Sequence, residues 1–281
     1  MRPRLKPSLI ALDLDHTTLT SERIPHPANL EAIKRAQAAG VRVVLASGRI
    51  GTSMQPFAEM LGVTGAMICC NGAQVLDANG EELVAHLMDP EVLHRVVEYA
   101  VPAGIHVNVY TRTELLFLDR TPWAEEYARR LVTLSPRFTT VEEAKQHEIL
   151  KVSIVDSAEA IQLHVQVLVP TIPPELALPT ESEKEYLEFM HPLANKGNGL
   201  RRLAEELGIP QERTAAIGDY LNDLEMIQWA GVSGAVANGA EAVRAIANVV
   251  APTNDEGGVA WFIDWLLSPK PSSPGERRPS A

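Results

Sequence analysis

The sequence predicts an α/β protein in which a parallel β-sheet core is interrupted by an inserted α+β segment. Near both ends of the chain, short apolar runs alternate with helical patterns. These runs are continuously apolar, as is typical of parallel strands covered on both faces. From about residue 84 to about residue 190, paired strands and helices follow a different pattern. We therefore expect the core to be discontinuous in sequence.

The first third of the chain predicts strand, helix, strand, helix and strand. The segment "SLIALDLD" (8–15) is an apolar strand that ends in two carboxylates. A helix follows over 27–40, with Leu30 and Ile33 at helical spacing and Gly40 at its end. The remaining elements are the strand "VRVVLASGR" (41–49), a helix over 52–61 and the strand "GAMICCNG" (65–72).

The middle of the chain predicts α+β structure, and the last part returns to alternating strands and helices. The predicted middle elements are a helix (89–104), a hairpin (105–111 and 114–119), a helix (121–132), a strand (151–156), a helix (157–168), a Pro-rich linker and a strand (184–190). The predicted last elements are helices at 195–209, 221–231, 240–247 and 258–267, and strands at 213–219, 233–238 and 248–252. The Pro/Ser-rich tail, 268–281, is expected to be disordered.

The composition excludes some classes of partner. The chain has 281 residues, 46% of them hydrophobic, with 36 acidic and 25 basic residues. The net charge of −11 argues against nucleic acid and anionic membranes as partners, because both require basic patches. The longest apolar runs fall short of the roughly 18 residues of a membrane span.

The cysteines and the N-terminus suggest the compartment. Cys69 and Cys70 are neighbours in an apolar strand, where adjacent side chains face opposite ways, so buried thiols are favoured over a disulfide. This indicates a reducing compartment. Asp13 cuts the first apolar run before it could serve as a signal peptide. We therefore expect a cytoplasmic protein.

Polar side chains recur where predicted parallel strands end. Asp13 and Asp15 are two positions apart and point to the same side of the first strand. The second strand ends in "SGR", residues 47–49, and the strand at 213–219 ends in Asp219. Ligands of open α/β sheets bind at this edge. Single motifs of this kind have simpler explanations, since D-x-D also forms turns and caps, and "GDYLND" could be a helix start capped by Asn222.

Together these residues predict a site for a metal and a phosphate group. Asp13, Asp15 and Asp219 form an all-oxygen set, which suits Mg²⁺ and makes the paired acids tolerable. A lysine in the first turn of a helix, here Lys196, is unfavourable unless an anion binds there. Ser47 and Gly48 supply a hydroxyl and an unobstructed N–H that could donate to a phosphoryl oxygen.

The motifs "DLDHTTL", "LASGR", "NKGNGL" and "GDYLNDLEM", in this order, resemble those of the haloacid dehalogenase-like superfamily. The position of the insert, with "CNGA" after the third core strand, resembles the Cof-like subgroup with a C2-type cap. The resemblance covers nearly all of residues 8–267 and implies a Rossmann-like core over 1–84 and 190–267, with an α+β cap over 85–189.

The resemblance also implies roles for individual residues. Asp13 would be the nucleophile that forms an aspartyl-phosphate, and Asp15 the general acid and base. Mg²⁺ would be held by Asp13, the backbone carbonyl of Asp15 and Asp219, with support from Asp223. The phosphoryl group would be bound by Ser47, Gly48, Lys196 and Asn222.

Three further residues are possible substrate contacts. His16 stands where the family usually has Gly, so it could restrict the turn, add a titrating group near the leaving alcohol, or point to solvent. Arg49, beside Ser47, and Arg112, in the predicted hairpin, could contact a polar leaving group.

These expectations define a function and two alternatives. The first is a Mg²⁺-dependent phosphatase acting on small phosphorylated metabolites, such as sugar phosphates or cofactor-type esters, through an aspartyl-phosphate on Asp13. The second is a phosphosugar mutase of the same superfamily. The third is a non-catalytic sensor that binds Mg²⁺ and a phosphorylated metabolite without turnover. The sequence identifies neither the physiological ester nor the oligomeric state.

Overall fold

The structure, a computed structural model, describes residues 6–130, 133–181 and 183–268. It has the predicted α/β architecture and contains two β-sheets. The first, which we call the core sheet, has eight strands in the order β14-β13-β12-β1-β2-β3-β4-β5. These strands are β1 (Leu9–Asp13), β2 (Arg42–Ala46), β3 (Met67–Cys69), β4 (Gln74–Leu76), β5 (Glu82–Ala85), β12 (Thr214–Gly218), β13 (Val232–Val236) and β14 (Val249–Ala251).

The first six strands in this order are parallel, and β1 lies between β12 and β2. All five residues of β1 are buried, because helices cover both faces of the sheet. The helices around the core sheet are α1 (Pro27–Ala38), α2 (Gly51–Leu61), α7 (Lys196–Glu206), α8 (Leu224–Trp229), α9 (Glu241–Ile246) and α10 (Gly258–Leu267). Side chains of α1, α2 and α10 pack on one face, and those of α7, α8 and α9 on the other.

The second sheet lies in the segment between the two parts of the core, which we call the insert (residues 90–190). Its order is β10-β11-β9-β6-β7-β8. The elements of the insert are α3 (Pro90–Ala100), β6 (His106–Thr111), β7 (Leu115–Phe117), α4 (Pro122–Arg130), β8 (Arg137–Phe138), α5 (Val141–Ala144), β9 (Ile149–Val155), α6 (Ala158–Leu168), β10 (Leu178–Thr180) and β11 (Tyr186–Met190). Side chains from α3 and α6 pack into one apolar cluster with the sheet.

The opposite face of the insert sheet packs against the core. Tyr110, Leu115 and Phe117 of the insert form one apolar cluster with Ile50 and Cys70 of the core. A closed cleft therefore lies between the two sheets, at the edge where the parallel core strands end.

Four short strands were not predicted. β4 and β5 pair antiparallel and extend the core sheet beyond β3. β8 and β10 are edge strands of the insert, with two and three residues. Strands of this length give too few alternating positions for a pattern to emerge from their polar neighbours. The predicted disordered tail lies outside the described residues, apart from Ser268.

Both cysteines are free and buried. Burial raises the pKa of the Cys70 thiol to about 12, which makes it a poor nucleophile. Across the described part of the chain, every helix is too short or too polar to cross a bilayer.

Gly72 allows the core sheet and α7 to approach closely. Its φ is +88°, in the left-handed region, and a Cβ at this position would overlap the backbone of Asn195, the residue that caps α7. Gly80 has a similar φ of +84°, but among the described residues, its chain neighbours aside, no heavy atom lies within 4 Å of where its Cβ would be. Substitution of Gly80 therefore tests backbone strain alone, whereas substitution of Gly72 tests backbone strain together with the close approach to α7.

We expect Gly72→Ala to destabilise the protein more than Gly80→Ala. Gly80→Ala should cost about 1 to 2 kcal/mol, the strain of a left-handed alanine. Gly72→Ala adds the displacement of the start of α7, for a total of about 3 kcal/mol or more. Urea unfolding of both variants measures the difference, and equal losses would show that the close approach at Gly72 has no energetic consequence.

Candidate active site

Two of the carboxylates in the site lie at the ends of two neighbouring parallel strands. Asp13 is the last residue of β1, and Asp219 follows the last residue of β12. Leu12 is in register with Ile217, so the two strands end at the same level and their carboxylates meet at one edge. This is the edge predicted from the sequence.

The turn after β1, Leu14–Thr18, holds the backbone of Asp13 and the carboxylate of Asp219 through two hydroxyls. Thr18 Oγ1 donates to the carbonyl oxygen of Asp13 at 2.5 Å. Thr17 Oγ1 donates to Asp219 Oδ1 at 3.0 Å. Both threonines are fully buried. Sequence analysis assigned them no role, because a hydroxyl in a turn is common and its distant partner is visible only in the fold.

Lys196 lies at the centre of the carboxylates. It is the first residue of α7, whose start is capped by Asn195, which accepts from the N–H of Asn198 at 2.7 Å. Its Nζ donates to Asp13 Oδ1 and to Asp223 Oδ1, each at 2.6 Å. The Lys196 side chain is fully buried. The predicted lysine at the helix start is therefore directed into the site.

Asp223 folds back against the end of β12. Its Oδ2 accepts from the backbone N–H groups of Asp219 at 2.8 Å and Tyr220 at 3.2 Å. A Cβ on Gly218 would overlap this carboxylate, so the close contact requires glycine there. Asp223 thus orients the backbone around Asp219 and also accepts from Lys196.

The burial of these charges shifts their pKa values. Burial, reinforced by the nearby charge of Asp223, raises the pKa of Asp13 to about 7. Burial and the charge of Asp13 also raise the pKa of Asp219 well above its usual range. Burial alone would lower the pKa of Lys196, but the two carboxylates beside it outweigh burial and raise it. The site therefore has more negative charge than Lys196 alone can balance.

The donor set fits a hard cation. One carboxylate oxygen from each of Asp13, Asp219 and Asp223 lies within 4.8 Å of the others. Asp13 Oδ2 is buried without a hydrogen-bond partner among the described residues. Buried polar atoms are normally satisfied, and an all-oxygen set suits Mg²⁺. Asp13, Asp219 and Asp223 could therefore hold the predicted metal, whereas the Asp15 carboxylate is not in this group.

Arg49 binds Asp15. Its Nε and Nη2 each donate to one Asp15 oxygen at 2.7 Å, forming a bidentate pair. Burial acts to raise the pKa of Asp15, but the charge and hydrogen bonds of Arg49 outweigh it and hold the pKa below its usual value. Arg49 thus contacts the predicted acid and also lines the cavity, and its contact with a substrate stays a prediction.

The predicted phosphate-binding residues lie around the same point. Ser47 follows β2 and is buried, and its Oγ accepts from the N–H of Arg49 at 3.3 Å. Ser47, Gly48 and Asn222 line the cavity above Asp13. The Asn222 amide, however, donates to Asn71 Oδ1 at 2.9 Å. Asn71 is a further residue that sequence analysis did not select.

His16 also lines the cavity and explains why its position favours glycine. Its φ is +58°, in the left-handed region. Its carbonyl oxygen accepts from Asn238 Nδ2 at 2.9 Å, which fixes the turn from outside. The structure thus gives the backbone reason for the glycine that the family usually has here, and it shows that His16 adopts the same left-handed turn.

The cavity above these residues has a volume of about 90 Å³ and is closed partly by the insert. Its lining from the insert includes Tyr110, Lys151, Tyr186 and Glu188. Arg112 is not part of this lining. Its guanidinium binds Glu82 at 2.9 Å and also contacts Glu148, and the contact of Arg112 with a leaving group stays a prediction.

Comparison with known proteins identifies the family. The chain matches the haloacid dehalogenase-like hydrolases over residues 10–263. The 5-amino-6-(5-phospho-D-ribitylamino)uracil phosphatase YwtE of Bacillus subtilis is 30% identical over 281 residues, covering 92% of this chain and 98% of the relative. The pyridoxal phosphate phosphatase YbhA of Escherichia coli is 29% identical over 265 residues, covering 91% of this chain and 97% of the relative.

A solved structure shares the whole fold. A haloacid dehalogenase-like hydrolase from Bacteroides thetaiotaomicron superposes with a TM-score of 0.82 at 28% identity, covering 93% of this chain and 100% of that one. The resemblance drawn from the four motifs is therefore confirmed. With its matched length, its fold and its carboxylates at the strand ends, this chain belongs to the haloacid dehalogenase-like hydrolases.

Proposed function

We propose that the protein is a Mg²⁺-dependent phosphatase that hydrolyses small phosphorylated metabolites through an aspartyl-phosphate on Asp13. The observation that carries this proposal is the arrangement of Lys196 between Asp13 and Asp223, beside a buried Asp13 oxygen without a hydrogen-bond partner among the described residues. A nucleophilic carboxylate and a buried cation at one point suit attack on a phosphoryl group.

In the first half of the reaction, Asp13 acts as the nucleophile and Lys196 assists it. The carboxylate of Asp13 attacks phosphorus in line, forming a new O–P bond while the bond to the leaving alcohol breaks. Lys196 favours the ionised form of Asp13 and aligns it through its 2.6 Å contact, and Ser47 and Gly48 line the cavity and would donate to phosphoryl oxygens. Mg²⁺, held by Asp13, the Asp15 carbonyl and Asp219, with support from Asp223, would offset the charge that develops on these oxygens.

Asp15 acts first as the general acid and then as the general base. It gives one to the leaving oxygen, and it then takes one from the water that attacks the aspartyl-phosphate, which releases phosphate and restores Asp13. Asp15 must be protonated at the first step, although Arg49 holds it as a carboxylate in this structure. The pair between Asp15 and Arg49 therefore has to open before the leaving group departs.

The substrate class follows from the cleft and the relatives. A cavity of about 90 Å³ lined by three tyrosines and by charged side chains suits a small polar leaving group. The two relatives described above are named for phosphate esters of small metabolites. A cytoplasmic location is part of this proposal, and it is supported by the two free, buried thiols.

We expect the protein to release phosphate from members of a panel of sugar phosphates, nucleotides and pyridoxal phosphate only when Mg²⁺ is present. Asp13→Asn should abolish release, because the amide is not a nucleophile. Asp89→Asn is the matched control, since Asp89 caps α3 and asparagine caps equally well, and it should keep full activity. Phosphate release and product analysis are measured for each ester.

The products separate the alternatives. Isomerised phosphosugar with little free phosphate would replace the phosphatase by the mutase. Tight ester binding without any product would favour the sensor. Phosphate release that persists in Asp13→Asn would contradict the nucleophile.

We expect Mg²⁺ to stabilise the protein more at pH 8 than at pH 6. The folded-state pKa of Asp13, about 7, lies above its ordinary value of 3.8. At pH values between these two, the folded protein therefore binds more protons than the unfolded protein. Without metal, the contribution of Asp13 to stability therefore falls as pH rises through about 7. Mg²⁺ binds the ionised form and offsets this loss. Melting temperatures at both pH values test this, and equal gains, or an unchanged pattern in Asp13→Asn, would contradict it.

We expect Arg49→Met to move the alkaline limb of the pH profile of kcat/KM to higher pH. Without Arg49, burial remains and the pKa of Asp15 rises, so its acid form persists to higher pH. Arg35→Met, which removes an exposed ion pair with Asp264, is the control and should leave the profile unchanged. An alkaline limb that stays in place would argue against Asp15 as the acid.

A further inference from the structure

A buried ion pair on the insert faces the active site. Lys151 lies on β9 and Glu188 on β11, and their side chains are joined by a contact of 2.6 Å between Nζ and Oε1. Both side chains are only 3% exposed. Lys151 Nζ also lies 4.2 Å from the centre of the Tyr110 ring. Both charged residues line the cavity above Asp13.

Each charge makes a second contact across the cleft to the core. Lys151 Nζ donates to the carbonyl oxygen of Gly48 at 2.8 Å. Glu188 Oε2 accepts from Asn71 Nδ2 at 3.1 Å. Gly48 belongs to the turn after β2, and Asn71 follows β3, so the ion pair bridges two core loops.

Asn71 connects these contacts to two parts of the proposed phosphate site. Its Oδ1 accepts from the Asn222 amide at 2.9 Å, and its backbone N–H donates to the carbonyl oxygen of Ser47 at 2.9 Å. Asn71 has φ +51°, and Asn is one of the residues that adopt the left-handed region with little cost. In this backbone conformation Asn71 contacts both Asn222 and Ser47.

We propose that Lys151 and Glu188 are positioning residues that fix the Ser47–Gly48 turn and Asn222 when the insert closes over the core. The inference rests on the proposed function, since it gives these core residues the task of binding the phosphoryl group. Lys151 acts through Gly48, and Glu188 acts through Asn71. Neither residue needs to touch the reacting atoms.

The energetics favour a role in closure over a role in the fold of the insert. With the insert open, both charges would face water, where an ion pair contributes little. In the closed form both are desolvated, and each gains a charge-assisted hydrogen bond to the core. Removing one partner leaves the other charge buried and unpaired, which penalises the closed form specifically.

Hydrogen exchange tests the proposal without requiring turnover. The reporting amides are those of Ser47, Cys70 and Asn71, which donate to the carbonyl oxygens of Ile68, Arg49 and Ser47, respectively. We expect Lys151→Met and Glu188→Gln each to accelerate exchange of these amides by about tenfold or more, the equivalent of 1.4 kcal/mol. The amides of β6, inside the insert sheet, should keep their rates.

A matched control removes a lysine from the insert without touching the cleft. Lys145 is exposed and pairs with Glu142 at 3.3 Å, so Lys145→Met should leave all these rates unchanged. Accelerated exchange of β6 in Lys151→Met would show that the pair stabilises the insert itself and would overturn the proposal. Unchanged rates for Ser47, Cys70 and Asn71 would also overturn it.

Affinity for inorganic phosphate gives a second readout. We expect its dissociation constant, measured in the presence of Mg²⁺, to rise about tenfold in Lys151→Met but not in Lys145→Met, because the binding turn is no longer held. An unchanged constant would overturn the positioning role. If the unsubstituted protein hydrolyses none of the esters, the proposed function fails, while the exchange rates still decide whether Lys151 and Glu188 hold the loops.

Discussion

The site depends on one buried charge, the ammonium group of Lys196. It lies 2.6 Å from carboxylate oxygens of both Asp13 and Asp223, with Asp219 close by. Three carboxylates in one buried cluster would repel each other strongly, and Lys196 offsets part of that repulsion. Burial and the mutual repulsion of the carboxylates raise the pKa of Asp13 and Asp219, and a bound cation would offset this excess of negative charge. In the proposed mechanism that cation, together with Lys196, would supply the positive charge that an anionic phosphoryl group requires.

Much of the fold and of the placement of the site could be predicted from sequence. Continuously apolar strands indicate a parallel sheet, and the carboxyl ends of such strands lie at one edge, so Asp13 and Asp219 could be placed together. The strands β4, β5, β8 and β10 were not predicted, because they are too short to show an alternation of apolar and polar residues. The family match then confirmed what the order of the motifs indicated.

The contacts between distant segments could not be predicted. A lone lysine in the strand "KVSIVD" gives no sign that its partner is Glu188 or that it reaches Gly48. Likewise, Arg49 is adjacent to the predicted phosphate-binding turn, but only the fold brings it to Asp15. Such pairs form between elements whose separation is set by packing of the whole molecule. Periodicity and local motifs carry no information about that separation.

The strand order also has a consequence for synthesis on the ribosome. β1 takes its place between β2 and β12, yet about 200 residues separate β1 from β12 in the chain. At a synthesis rate of about 5 to 20 residues per second, one edge of β1 waits about 10 to 40 s for its partner. During this interval the insert can fold, but an apolar strand edge that ends in Asp13 stays open to misassociation. The carboxylate cluster can therefore assemble only after the second half of the core, including β12, has been synthesised.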